Sequence, residues 1–385
     1  MSQTLTGKLF DHDRLGTVLK KQELDGLILT SVEHVLYFTG IKAPYAQSQR
    51  KSPTVAVLSW STDLEPILVV PRSRKDLVDE SWISDHVFYG EFYIDGELVK
   101  ESSERDLYEA LDKALRKHGL TGRIGVDEKY LPASIMKTIA AKFGRTTFID
   151  VSSDIEEMRS VKTPEEMNRL SKAAQIAERA LVTAMKMVAP GVTELELERA
   201  YRKSLADQGA YYVFGMIGAG ERGALPNARP TNHRLEDGEV VRFDVGASFE
   251  GYFADLARSV VAGQASEKDK AVYRAVVEAE EKTIGLIAPG TKASDLFNVG
   301  EQAVRKAGYP TYKRHHVGHG IGLEVHEAPV LSPGNAADMK PGMVLCVEIP
   351  YYINKVGGYH VEDEVIVVPG GHKILTSCCK ELEYK

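Results

Sequence analysis

Two stretches of the chain carry the same spacing of glycine and carboxylate, and the repeat leaves few folds open. The first runs from Gly238 through Asp244 to Gly251 and Asp255; the second runs from Gly342 through Glu348 to Gly358 and Glu362. In both copies the first acid stands six residues after the first glycine (244 − 238, 348 − 342), and the second acid four after the second glycine (255 − 251, 362 − 358). The surrounding runs, Val240 to Val245, Val344 to Ile349 and Val361 to Val368, are rich in strand formers. A charged side chain facing a core from such a strand is unstable without a partner. Two amphipathic hairpins with solvated acids would be the plain alternative, but a surface acid has no reason to recur at both spacings. The repeat therefore reads as two hairpins presenting two acids each, with cations between them.

At 385 residues the chain exceeds what one core usually serves, so two domains are expected: an α/β domain over residues 1–155 and an α+β domain over 156–385. The net charge of −7 is spread without long single-sign runs, which points to small-molecule partners rather than nucleic acid. The N-terminus lacks an apolar leader, and no run approaches the ~20 apolar residues of a membrane span. A soluble cytoplasmic protein without a membrane partner is the expectation. Cys346, Cys378 and Cys379 cannot build a disulfide framework. Cys346 shares a strand face with Glu348, and a buried, apolar-like role is expected for it.

The N-terminal part alternates strand-like and helix-like segments, the pattern of an open α/β sheet. Strands are expected over Gly26–Thr30, Val35–Thr39, Thr54–Trp60, Pro66–Val70 and Arg123–Val126, with a helix over Glu104–Lys117. Tyr45–Lys51 reads as a solvated connection. Thr163-Pro-Glu-Glu166 is a capping box with proline at the first helical position, and Thr193 with Glu196 repeats the device. Ala-Pro-Gly punctuation recurs 99 residues apart (289 − 190), followed the second time by a helical segment from Asp295 to Lys306. Each acid hairpin thus follows equivalent helices, so the C-terminal domain is expected to be two related halves with a cleft between them.

Four of the eleven histidines fall between His315 and His326, in a segment broken by Gly318, Gly320 and Gly322. A buried imidazole at His319 could add a nitrogen ligand. Four carboxylates and an imidazole are too many donors for one tetrahedral zinc but suit two divalent ions, with manganese, iron(II) or cobalt favoured over copper. Such a pair can hold a bridging water as hydroxide near neutral pH and polarise a carbonyl, the chemistry of amide hydrolysis. No phosphate-cradling G-x-x-x-x-G-K-[ST] motif and no G-x-S-x-G nucleophile elbow occurs.

With Arg159-Ser-Val-Lys-Thr-Pro-Glu-Glu166, Asp244/Asp255, Gly318-His-Gly-Ile-Gly322, His326-Glu327 and Val361-Glu-Asp363 on the page, the sequence resembles the creatinase/methionine-aminopeptidase superfamily of pita-bread metallopeptidases. Within it, the chain is most like the Xaa-Pro dipeptidases (prolidases) and aminopeptidase P, over its whole length. The resemblance implies an α/β creatinase-like N-terminal domain and a pita-bread catalytic domain with an internal pseudo-twofold repeat. It implies Asp244, Asp255, His319, Glu348 and Glu362 as ligands of two divalent ions, manganese first, with cobalt, iron(II) or zinc as alternatives. Glu348 matches a general base, His326 a donor to the tetrahedral intermediate, and His315 a histidine lining the leaving-side pocket. A homodimer is also implied. Three departures bear on the substrate: Asn227 stands where a histidine is usual, His360 where an arginine precedes the last ligand by two, and Glu348-Ile-Pro350 replaces Glu-Pro-Gly. The expected activity is cleavage of a C–N bond in an Xaa-Pro dipeptide by a metal-bridged hydroxide. A creatinase-like hydrolase of a non-peptide amide or cyclic metabolite is the alternative, and a non-catalytic binding module on the same fold is a third.

Overall fold

A computed structural model describes residues 9–42, 52–59, 65–93 and 103–383 of the chain. The chain divides into two units, residues 1–159 and 160–385.

In the first unit, strands β1 (Gly26–Leu29), β2 (Val55–Ser59), β3 (Ile67–Pro71), β4 (His86–Tyr89), β5 (Arg123–Val126) and β6 (Thr147–Asp150) form one sheet in the order β4-β3-β2-β1-β5-β6. The sheet is mixed: β2 is antiparallel to both β1 and β3, while β5 is parallel to β1 and β6. Helix Leu107–Lys117 packs on it with Leu107, Ala110, Leu111, Ala114 and Leu115, an apolar stripe at helical spacing. The α/β expectation for this part is met, with one element changed. Val35–Thr39 is not a strand but most of helix Val32–Thr39. Every side chain from His34 to Thr39 is buried, so periodicity could not separate the two forms. The ends decide it: the Ser31 side chain caps by accepting from His34 N, and Gly40 closes the helix at φ 80°. Tyr45–Lys51 lies outside the described residues.

In the second unit, both capping boxes form. Thr163 Oγ1 accepts from Glu166 N, and Glu166 Oε2 returns to Thr163 N at 2.8 Å; Thr193 and Glu196 repeat the pair. They open helices Pro164–Met185 and Glu194–Asp207. Helices Glu267–Gly285 and Ala293–Lys306 are their counterparts in the second half. Strands β7 (Tyr211–Ala219), β8 (Val240–Phe249), β9 (Tyr252–Val261), β10 (Gly318–Gly320), β11 (Glu327–Val330), β12 (Val344–Glu348), β15 (Glu362–Val368) and β16 (Gly371–Ile374) make a sheet in the order β11-β10-β12-β15-β9-β8-β7, with β16 beside β15. Between β12 and β15 a small hairpin intervenes, β13 (Tyr351–Ile353) with β14 (Gly357–Tyr359).

The two copies of the repeat thus meet at the middle of this sheet as β12-β15 and β9-β8, the α+β pseudo-twofold arrangement expected. Their second glycines do different work. Glu250-Gly251 is a two-residue turn with φ of 54° and 84°, the conformation that favours glycine in tight hairpins. Gly358 instead lies in β14, where a Cβ would run into the Gly223 carbonyl.

Alternation then sorts the side chains. Val241, Phe243, Val245, Leu256, Val260, Val365 and Val367 pack toward helices in the two cores of this unit. The residues that alternate with them point to the other face. Among the described residues no helix is long and apolar enough to cross a membrane.

Candidate metal centre

Register alone gathers the acids. Across β8 and β9, Asp244 pairs with Ala257, so it shares a face with Asp255, two residues before Ala257. Glu362 also pairs with Ala257, and Glu348 pairs with Glu362. His319 pairs with Cys346, which lies two before Glu348. Asp244, Asp255, His319, Glu348 and Glu362 therefore project from one face of five strands.

Their side chains converge. His319 Nε2 stands 3.9 Å from both Asp255 Oδ2 and Glu362 Oε1. Its Nδ1 is 3.0 Å from the Gly320 carbonyl, to which it can only donate, so the Nε2 lone pair faces the acids. Burial lowers His319 to about 4, which keeps this imidazole neutral. His360, 2% exposed, lies 3.5 Å from Glu348, 3.8 Å from Glu362 and 3.7 Å from Asp244. His319 with Asp255 and His326, His319 with Cys346 and Glu362, and His360 with Asp244 and Glu362 each form a group compact enough to hold an ion. Cys346 Sγ, 3.9 Å from the Asp255 carbonyl, stays a thiol because burial, with Glu362 and Glu364 adding, pushes it well above its ordinary value.

The electrostatics are unsettled without cations. Burial, reinforced by Asp244 and Glu348, raises the Asp255 carboxyl well above the usual range. Burial and Asp255 do the same to Glu362. Glu348 goes the other way: burial would raise it, but the imidazoles of His316 and His360 outweigh burial and hold it well below. Asp255 Oδ1, Glu362 Oε1 and both nitrogens of His360 are buried with no hydrogen-bond partner among the described residues. Orphaned oxygens and an imidazole lone pair on one face are the donor set that divalent cations complete, so the residues present fit such ions.

The remaining sequence-derived residues are less concentrated. His326 is exposed, its ring centred 4.0 Å from that of His319. His315 is exposed and meets His316 edge-on at 4.2 Å; it is His316, at 3.0 Å from Glu348 Oε1, that touches the acids. Asn227 is exposed in a turn whose preceding carbonyls, Leu225 and Pro226, accept from Arg242 Nη2, while Arg242 Nη1 donates to Asp244 Oδ2 at 2.9 Å.

Sequence reasoning passed over several contributors. Arg314 brings Nη2 to 3.7 Å from Glu348 and lies over the Tyr352 ring, with Arg242 also within 5.2 Å of that ring. Glu364 accepts from Asp255 N at 3.0 Å. Lys162 forms a buried ion pair at 2.9 Å with Glu327, next to His326, and Glu327 also caps the Leu323 and Glu324 amides. Glu364 was within reach of a reading by alternation, since it follows Glu362 by two; the others carry no periodic signal.

Comparison with known proteins identifies the family. Residues 168–369 match the model of metallopeptidase family M24, and residues 12–161 that of the creatinase/prolidase N-terminal domain. An Xaa-Pro dipeptidase of Pyrococcus horikoshii is 29% identical over 368 residues, 94% of this chain and 96% of that protein. One from Pyrococcus furiosus is 32% identical over 289 residues, 74% of this chain and 80% of its own length. The crystal structure of the prolidase from Pyrococcus horikoshii superposes with a TM-score of 0.82 at 27% identity, covering 96% of this chain and 99% of that one.

Proposed function

The chain belongs to metallopeptidase family M24, and on that premise we propose that this metallohydrolase uses two divalent ions to cleave the C–N bond of Xaa-Pro dipeptides. The observation that carries the reading is the set of five donors on one sheet face with buried oxygens lacking partners. Asp244, Asp255, His319, Glu348 and Glu362 would hold the ions, manganese before cobalt, iron(II) or zinc. When bound, the ions supply Lewis acidity toward the scissile carbonyl and lower the pKa of a water.

The protein's own groups divide the rest of the work. Glu348, kept ionised beside His316 and His360, is the acceptor for the proton that water gives up. His326, exposed beside His319, offers an N–H to the oxyanion that forms on the substrate. His360, wedged among three of the acids, contacts the substrate, and His315 and Asn227 line the approach. The reading includes a cytoplasmic homodimer acting on a small substrate, with neither nucleic acid nor membrane as partner; sedimentation equilibrium checks the dimer.

One observation favours a second substrate class. An imidazole at His360 is shorter than a guanidinium and need not carry charge, so a peptide's polar atoms would be left unpaired there. That feature suits a small non-peptide amide. Steady-state kinetics of the manganese-loaded enzyme on a panel of Xaa-Pro dipeptides decides between them. A kcat/KM of ~10⁴ M⁻¹s⁻¹ or above supports the dipeptide. Weak cleavage at full metal occupancy transfers the reading to the non-peptide amide, and a protein that takes up no metal overturns both.

A further inference from the structure

Behind the acids, on the helix-packed face of the same sheet, lies a second buried charge cluster. β9 and β15, which carry Asp255 and Glu362, are joined by a single registered pair, Glu362 with Ala257. The adjoining strands are held by far more: ten pairs between β8 and β9, five between β12 and β15. The seam on which both acids stand is therefore poorly held by backbone, and a side chain supplements it.

Arg258 is fully buried, and its Nη1 donates to Ala257 O at 2.9 Å and to Glu362 O at 2.8 Å, one carbonyl on each strand. Its Nη2 donates to Asp363 Oδ1 at 2.6 Å and to Cys378 O at 3.1 Å. The C-terminal segment completes the cluster. Thr376 Oγ1 donates to Asp363 Oδ1 at 2.7 Å, and Lys380 Nζ stands 2.6 Å from Asp363 Oδ2 and 2.7 Å from Glu280 Oε2. Two cations, Arg258 and Lys380, balance two acids, Asp363 and Glu280, and only Lys380 retains appreciable exposure, 20%.

We propose that Lys380 is a positioning residue of the metal centre: by fixing Asp363, and with it the guanidinium of Arg258, it sets the seam between β9 and β15 and so the separation of Asp255 and Glu362. Without its ammonium, Glu280 loses its cation and Asp363 keeps only Arg258 in a region closed to water, and the network loosens where Glu362 is anchored. The inference rests on the reading of the acids as a dinuclear metal centre and adds a distant segment to it.

The test compares the full chain with Lys380→Met, Lys380→Arg and Glu280→Gln, each stripped of metal, checked for fold by circular dichroism and titrated with Mn²⁺ by calorimetry. Loss of a group supporting a ligand typically weakens metal binding ~10–100-fold, and the low end is expected for Lys380→Met because it acts one residue further out. Lys380→Arg should restore binding to within ~3-fold, and Glu280→Gln should stay there too, since the contact with Asp363 persists. The proposal is overturned if Lys380→Met binds within twofold of the parent, or if Glu280→Gln is weakened as much as Lys380→Met. Should Lys380→Met fail to fold, Thr376→Val removes the other side chain of this segment bound to Asp363; unchanged affinity there overturns the proposal, and weakened affinity upholds it. A parent protein that binds no Mn²⁺ overturns the metal centre as well, which separates the two failures.

Discussion

Replacing Glu364 by glutamine should remove a pH-dependent instability from the metal-free protein. Glu364 is fully buried on β15, its Oε1 accepting from Asp255 N and its Oε2 without a partner among the described residues. Burial lifts its carboxyl from 4.5 to about 8 against the opposing Asp255 N–H, with Asp363 and Glu178 adding to the rise. A carboxyl whose folded pKa is raised contributes stability that is fully present below about pH 4.5 and is lost as pH climbs toward 8. At about 1.4 kcal/mol per unit, the whole span of 8 − 4.5 corresponds to about 5 kcal/mol. Glutamine cannot titrate, so the stability of Glu364→Gln relative to the parent should rise by about 3 kcal/mol between pH 5 and pH 7.5. Urea unfolding followed by circular dichroism, on chelator-treated proteins at several pH values in that window, measures it. A stability difference flat to within about 0.5 kcal/mol across the window would refute the account of Glu364 as a carboxyl held protonated by burial.

Three further outcomes follow from the site. Asp255→Asn and Glu362→Gln should each lose metal and activity together while the metal-free proteins melt at higher temperature than the parent at pH 8, because both carboxyls are held above their ordinary values; unchanged metal content by elemental analysis would remove them from the ligand set. His326→Ala should retain its metals and lose ~10²–10³ in kcat, the usual effect of deleting one oxyanion donor; full turnover or metal loss would reassign it. Lys162→Met strips the ammonium from a pair whose side chains are 1% and 6% exposed, and should destabilise the protein by about 3–5 kcal/mol; a loss below about 1 kcal/mol in thermal denaturation speaks against a buried pair.

The acids were legible in the sequence because the repeat fixes both spacing and alternation, and those two quantities determine which strand face a side chain occupies. Asp244, Asp255, Glu348 and Glu362 needed only the pairing register to be brought together. Helix starts were legible for a similar reason: Thr163 and Thr193 carry their capping partners three residues on. Val35–Thr39 was misread because burial on all sides erases periodicity, and the capping serine lay just outside the apolar run. His316, which touches Glu348, carried no such signal: it lies in a loop, where no period says which ring faces inward. Arg258, Asp363 and Lys380 went unread because their contacts join parts of the chain up to 120 positions apart, and such pairings leave no local trace.

β15 is buried on both faces, with Val365, Ile366 and Val367 all buried and three buried acids, Glu362, Asp363 and Glu364, in succession. Sliding its pairing by one residue would exchange like for like at most positions, apolar for apolar and carboxylate for carboxylate, with the sole mismatch inside the strand at the junction of Glu364 and Val365. Hydrophobicity, which polices alignment in most sheets, is nearly blind to that error here. Discrimination falls to length and charge: the shorter Asp363 carboxylate reaches Arg258 and Lys380 beneath, while the longer Glu362 extends toward His319 above. Exchanging aspartate and glutamate at 362 and 363 would preserve composition, net charge and pattern, yet give the strand a reason to pair out of alignment.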